Sequence, residues 1–193
     1  LDINEGFESI NKEEATFTFL EIKFDNDYTT QRINDGIFKL DNFYVRDGYN
    51  TLVPEGYLPV ASTVDQFNTS DNYLSLFFTF TYRNEDGNEI KRYDSLTYHT
   101  KDGVLIDFVT MFKAEEIENV FSQMLIDEVQ AKELVLLKAY EGFKEDAKFY
   151  FTEDGIIVYY GEGVYTDISE GPLNIKLTWG DLRGVIDRDT LVY

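Results

Sequence analysis

Across residues 73–82 the chain sets Leu74, Leu76, Phe78, Phe80 and Tyr82 on one face and Ser75, Thr79 and Thr81 on the other. A two-residue period of this length fits a pleated strand with one face in a core and fits no helix. Residues 60–67 read as its upstream partner. Glu85-Asp86-Gly87-Asn88 carries the Asp-Gly signal of a hairpin, with residues 91–100 as the returning strand. An antiparallel meander is therefore expected. Residues 15–24, rich in Thr, Phe and Ile with apolar side chains on both faces, predict a covered central strand.

The period changes in residues 113–137. Ile117, Val120, Phe121, Met124 and Leu125 recur at the spacing of a helix lying on a sheet, and Glu115, Glu116, Glu118, Asp127 and Glu128 occupy the solvated side. Ile33, Ile37 and Leu40 predict a short earlier helix over 31–43, with Gly36 against it. A second hairpin follows through Glu153-Asp154-Gly155. Gly171-Pro172 then breaks the chain before Leu173, Ile175, Leu177 and Trp179 alternate along a last strand. Thr178 and Asp181 have the spacing of a capping box, which predicts a closing helix to Ile186. The expected fold class is α+β, with antiparallel sheets packed on one long helix and short helices near the start and at the C-terminal end. It is expected to be a single unit over 1–193, with possible sub-modules 1–110 and 111–193. Leu76, Phe78, Phe80, Ile117, Phe121, Leu125, Ile175 and Leu177 are expected to form one mutually close core.

Asp and Glu number 37 against 17 Lys and Arg, a formal net charge of -20. A field of that sign repels nucleic-acid phosphates and anionic lipid headgroups, favours basic proteins and cations as partners, and keeps a domain soluble. The chain has no cysteine, so disulfides, thiolate nucleophiles and cysteine-based metal sites are excluded. No stretch reaches 18 apolar residues, so no direct membrane insertion is expected. The sequence starts at Leu1 rather than at a methionine, which points to a processed chain whose signal or anchor lies outside it.

Catalytic motifs are weak. The only histidine, His99, falls in a predicted strand, where Asp94 or Asp102 would have to orient it to make a base; an ordinary strand residue is expected. No G-x-S-x-G elbow, Walker loop or H-E-x-x-H occurs. Gly161-Glu162-Gly163 lacks the third glycine of a dinucleotide loop, because Thr166 stands there, and reads as a turn. Residues 84–89 cluster oxygen ligands around a glycine without the EF-hand spacing. A carboxylate pair of the glycosidase kind cannot be singled out among 37 acids. The reading is that the chain has no catalytic residue, no metal site and no cofactor.

Three segments, TTQRINDGI (29–37), SLTYHTKDGVLIDFVTMF (95–112) and FYFTEDGIIVYYGEGVYTDISEGPLNIKLTWGDL (149–182), together resemble a bacterial extracytoplasmic domain family. That family forms the sensing half of lysozyme-sensing anti-sigma factors and also occurs beside some peptidoglycan deacetylase domains. The first segment matches its early helix with an Ile-Asn pair, here Ile33-Asn34. The second matches its strand, turn and lead into the long helix, and the third its C-terminal hairpin and loop. The chain departs from it at Asn84-Glu85-Asp86-Gly87, where many members carry Gly-Gly-Ala-His, and at Asp167-Ile168-Ser169-Glu170-Gly171, where many carry Pro-Tyr before small residues. The resemblance implies a non-catalytic binding or sensing domain at a bacterial cell envelope, secreted or anchored at the surface. Its expected partner is a basic lysozyme-like protein, with contacts through Tyr165, Asp167, Ile168, Ser169 and Gly171. The alternatives are an envelope glycan-binding or glycan-hydrolysing domain, and a structural tether.

Overall fold

The computed structural model describes residues 2–8, 15–112, 114–140 and 148–186. The first sheet runs in the order β1 (Asp2–Glu8), β2 (Thr16–Lys23), β3 (Leu58–Thr69), β4 (Tyr73–Arg83) and β5 (Glu89–His99). Its neighbours are antiparallel except β2 and β3, which meet in parallel over two residue pairs. A second, antiparallel sheet contains β6 (Lys148–Thr152), β7 (Gly155–Tyr160) and β8 (Leu173–Thr178). Two helices serve them, α1 (Asp27–Asn42) between β2 and β3, and α2 (Ala114–Ala131) before β6.

Parallel strands need a crossover, and α1 supplies it. Asn26 caps it by accepting the N–H groups of Tyr28 and Thr29. Thr29, Ile33, Ile37 and Asp41, four residues apart each time, form its buried stripe. Asn34 sits beside that stripe and uses its side-chain amide as a strand would: Oδ1 accepts the Ile22 N–H at 2.9 Å and Nδ2 donates to the Ile22 carbonyl at 2.7 Å. The Ile-Asn pair of the first matched segment thus has a physical role, since one residue enters the core while the next closes the side of β2 that has no paired strand there. Gly36 is tolerated in the helix because the Tyr98 ring occupies the space a β-carbon would need.

The expected single core is instead two. Leu76, Phe78 and Phe80 belong to a cluster under α1 with Phe17, Ile22, Ile33, Ile37, Tyr44, Tyr82 and Tyr98. Ile117, Phe121, Leu125, Ile175 and Leu177 belong to another, between α2 and the second sheet, with Phe149, Phe151, Ile156 and Val158. The fold-class expectation is corrected accordingly: sheet outweighs helix, and the two sheets are not packed on one long helix. The first helix is not short, at 16 residues against 18 for α2. The closing helix does not form. Asp181 does accept the N–H and hydroxyl of Thr178, which hold its carboxyl below the usual carboxylate range, but residues 179–185 then run through turns that seat Leu182 and Val185 in the interior. Gly184, at φ +94°, ends any helical run there. A stretch this short gains too few hydrogen bonds to repay helix nucleation.

The two halves meet where β6 approaches β4 and β5. On β4, the face opposite the first core presents Phe77, whose ring packs against Tyr150 at 4.5 Å and Tyr159 at 5.1 Å between centroids. Ser75 accepts the Phe151 N–H at 2.8 Å. Asp94, on β5, is nine-tenths buried and takes donors from three places: the Tyr44 hydroxyl at 2.9 Å, the Lys148 ammonium at 2.7 Å and the Ser95 N–H at 2.8 Å. Tyr44 belongs to the first core and Lys148 to the second sheet, so one carboxylate joins both.

Asp41 is the other buried acid, 4% exposed, and its Oδ1 has no hydrogen-bond partner. Burial lifts its carboxyl from 3.8 to about 7, with Arg46 opposing. Because the folded value lies above the unfolded one, the fold favours the protonated acid. The contribution is complete below about pH 4 and is lost as pH rises through about 7. Asp41→Asn keeps the shape and removes the titration. Urea midpoints measured from pH 4 to pH 8 are expected to show the variant gaining on the wild type as pH rises, by up to about 4 kcal/mol. A pH-independent difference would refute this account.

Candidate functional site

The loop between β7 and β8 turns twice before reaching Pro172. Gly163 donates to the Thr166 carbonyl at 3.0 Å and Val164 to that of Gly161 at 3.3 Å, so Gly161-Glu162-Gly163 is a turn, as its sequence indicates. Thr166 then donates its hydroxyl to the Gly171 carbonyl at 2.7 Å, and Gly171 itself sits at φ +75°, a left-handed conformation that suits glycine. These bonds hold a short 3-10 turn, Ile168–Glu170, at the surface. The root of the loop is anchored to the first sheet: Glu162 accepts the Tyr93 hydroxyl at 3.0 Å and lies 3.9 Å from the Arg92 guanidinium.

The residues named for contact do not share one environment. Tyr165 is 1% exposed. Its ring packs edge-on to Tyr160 at 4.7 Å and lies 6.2 Å from Tyr140, within the second core, so it is an anchor for the loop rather than a contact residue. Burial pushes the neighbouring Tyr140 hydroxyl well up, helped by Tyr160 and Glu118. Asp167 and Ile168 face outward, Ile168 at 60% exposure. Gly171 shapes the backbone. The side chain of Ser169 lies outside the described residues. Of the named set, Asp167 and Ile168 are the exposed side chains, and exposed Val164 and Glu170 stand beside them.

A second segment reaches this loop. After α2 the chain turns through Glu133, the one described non-glycine residue with positive φ, at +53°. Leu134 N–H bonds back to the Val129 carbonyl and Glu133 N–H to that of Gln130, the two bonds of a Schellman ending with glutamate where glycine is usual. Residues 134–140 then run as an irregular strap, bent at Leu137 and Lys138. The Leu137 N–H donates to the Tyr165 carbonyl at 2.8 Å, and the Lys138 ammonium lies 4.9 Å from the centre of the Tyr165 ring. Leu134 and Leu136 pack on the second core, while Val135 and Leu137 point to solvent. Sequence reasoning missed the strap because helical spacing continues through it to Leu137.

His99 lies at the end of β5 opposite Tyr73, on the other face of the strand from Asp94, which is already engaged by Tyr44 and Lys148. Asp102 accepts the Val104 N–H in the following turn. Among the described residues, no helix is long and apolar enough to cross a membrane.

With this geometry in view, the comparisons bear on fold. No family model matches the chain, and no curated protein does. Solved structures do. A DUF3298 family member from Bacteroides fragilis superposes with a TM-score of 0.64 at 15% identity, over 96% of this chain and 92% of that one. A DUF3298 family protein from Pseudomonas aeruginosa gives 0.61 at 8% identity, over 98% and 94%. The class is therefore a two-sheet domain with the DUF3298 fold, matched along nearly its whole length.

Glu133→Gly removes the left-handed strain at the end of α2 while keeping both capping bonds. It is expected to raise the unfolding free energy by about 0.5–1 kcal/mol, measured by urea denaturation. A loss of stability would show that the Glu133 side chain contributes more than its backbone costs.

Proposed function

We propose that the domain is a non-catalytic recognition module, secreted or anchored at a bacterial cell envelope, whose β7–β8 loop contacts a basic protein of the lysozyme kind. The observation that carries this is the loop itself. Two hydrogen-bonded turns and a buried tyrosine fix its backbone, and at its tip an exposed isoleucine stands next to two acids, Asp167 and Glu170. A preorganised apolar side chain flanked by carboxylates suits a partner that offers an apolar pocket edged by Lys or Arg. The resemblance of the matched segments to a sensing family supports the same reading, and the net charge of -20 favours encounter with basic partners.

One feature favours glycan binding as a second reading. On the outer face of α1, exposed Phe38 and Phe43 stand beside Asp35, Lys39, Asn42 and Asp47 around an open depression of about 490 Å³. Aromatic faces with carboxylate and amide neighbours suit the apolar side and hydroxyl rim of a sugar ring.

Calorimetric titration with lysozyme at 0.1 M and 1 M salt separates contact from charge, because the Debye length falls from about 10 Å to about 3 Å over that range. Sub-micromolar binding that persists at high salt, and weakens at least tenfold in Ile168→Asp, is the expected result. Binding that vanishes with salt would leave bulk charge as its only cause, and binding that persists but ignores Ile168→Asp would place the contact elsewhere on the surface; either result sinks the proposal.

A further inference from the structure

The geometry points to a two-sided contact surface in which the strap at residues 134–140 forms the second jaw, with Val135 and Leu137 joining Val164 and Ile168 to receive an apolar side chain of a basic protein partner. The inference rests on the reading above and adds a segment that neither the matched motifs nor the loop itself includes.

Contiguity comes from the backbone. The Leu137 N–H bond to the Tyr165 carbonyl places Leu137 beside the residue that follows Val164. On the other side of the loop, the Ile168 side chain lies 3.5 Å from where a β-carbon on Gly163 would stand. Along the strap, Leu134 and Leu136 turn inward and Val135 and Leu137 outward, so one side of the segment lies on the core and the other faces solvent. The exposures are large for aliphatic residues: 85% for Val135, 56% for Leu137, 40% for Val164 and 60% for Ile168. Single exposed aliphatics are ordinary, but four on two segments tied by a hydrogen bond form a patch.

Charge selects the occupant. Glu133 opens the strap, and Asp167 and Glu170 flank Ile168, all three exposed; against them stand Lys132, paired with Glu128, and Lys138, held over the Tyr165 ring, so acids are in excess. A second copy of the chain would bring the same acids and its own net charge of -20 against them, so self-association is opposed. An anionic membrane is opposed in the same way. A basic protein gains on encounter and then buries the apolar centre, the arrangement of a desolvated hot spot inside a charged rim.

The test uses Val135→Asp and Leu137→Asp, with Tyr28→Asp, an exposed residue at the start of α1, as control and lysozyme as titrant. Each substitution adds negative charge and so increases long-range attraction to a basic protein. A weakening cannot then be ascribed to lost electrostatics. Both strap variants are expected to bind at least tenfold more weakly than wild type, with Tyr28→Asp within twofold, Val135→Ile at wild-type affinity or tighter, and urea midpoints unchanged for the Val135 variants. If the strap variants bind as wild type while Ile168→Asp does not, the strap is no part of the surface, and the loop reading stands without it. Wild type that fails to bind at both salt concentrations overturns both.

Discussion

The buried carboxylate of Asp94 is the point on which the two halves of the molecule turn. Each sheet closes its own core with its own helix, so neither needs the other to bury its apolar stripe. What joins them is largely polar and aromatic: Asp94 between Tyr44 and Lys148, Ser75 beneath the Phe151 N–H, the Tyr159 hydroxyl on Ser95, and the stack around Phe77. A hydrophobic seam tolerates sliding. A carboxylate with three donors fixed in direction does not, and leaving a buried acceptor without its donor typically costs about 1–3 kcal/mol. The seam therefore sets the registration of the second sheet, and with it the position of the β7–β8 loop, whose root is tied through Glu162 to Tyr93 and Arg92 on the same strand, β5.

Much of the local structure was legible because it rests on local periodicity. The alternation at Leu74, Leu76, Phe78, Phe80 and Tyr82 became β4, and the Ile117, Phe121, Leu125 stripe became the buried face of α2. The division into two cores was not legible. Leu76 and Leu177 are equally apolar, and no periodicity reports which sheet a strand will join. The parallel step from β2 to β3 was hidden for the same reason. Asp41 was overlooked because it occupies a stripe position otherwise filled by Thr29, Ile33 and Ile37, where sequence reasoning expects an apolar side chain.

For the candidate site, the structure shows where the named residues sit, which the sequence alone did not. Asp167 and Ile168 lie on the surface as expected, but an aromatic residue in a loop can serve as bait or as ballast, and Tyr165 is ballast. The distinction depends on Tyr160 and Tyr140 converging on it, one from β7 and one from the strap. The strap was invisible because its outward residues continue a helical pattern that the backbone abandons at Glu133.

The order of the two cores along the chain has a consequence for biosynthesis. The first core draws on residues up to Tyr98, whereas the buried residues of the second run from Ile106 to Leu182. A chain made from its N-terminus can therefore close one core before the partner of Asp94, Lys148, has left the ribosome. In that interval the carboxylate lacks its ammonium partner and the Phe77 face of β4 is uncovered. The seam is completed last, as β6 and β7 arrive, and a nascent chain stalled before residue 148 would present an open aromatic face to whatever lies nearby.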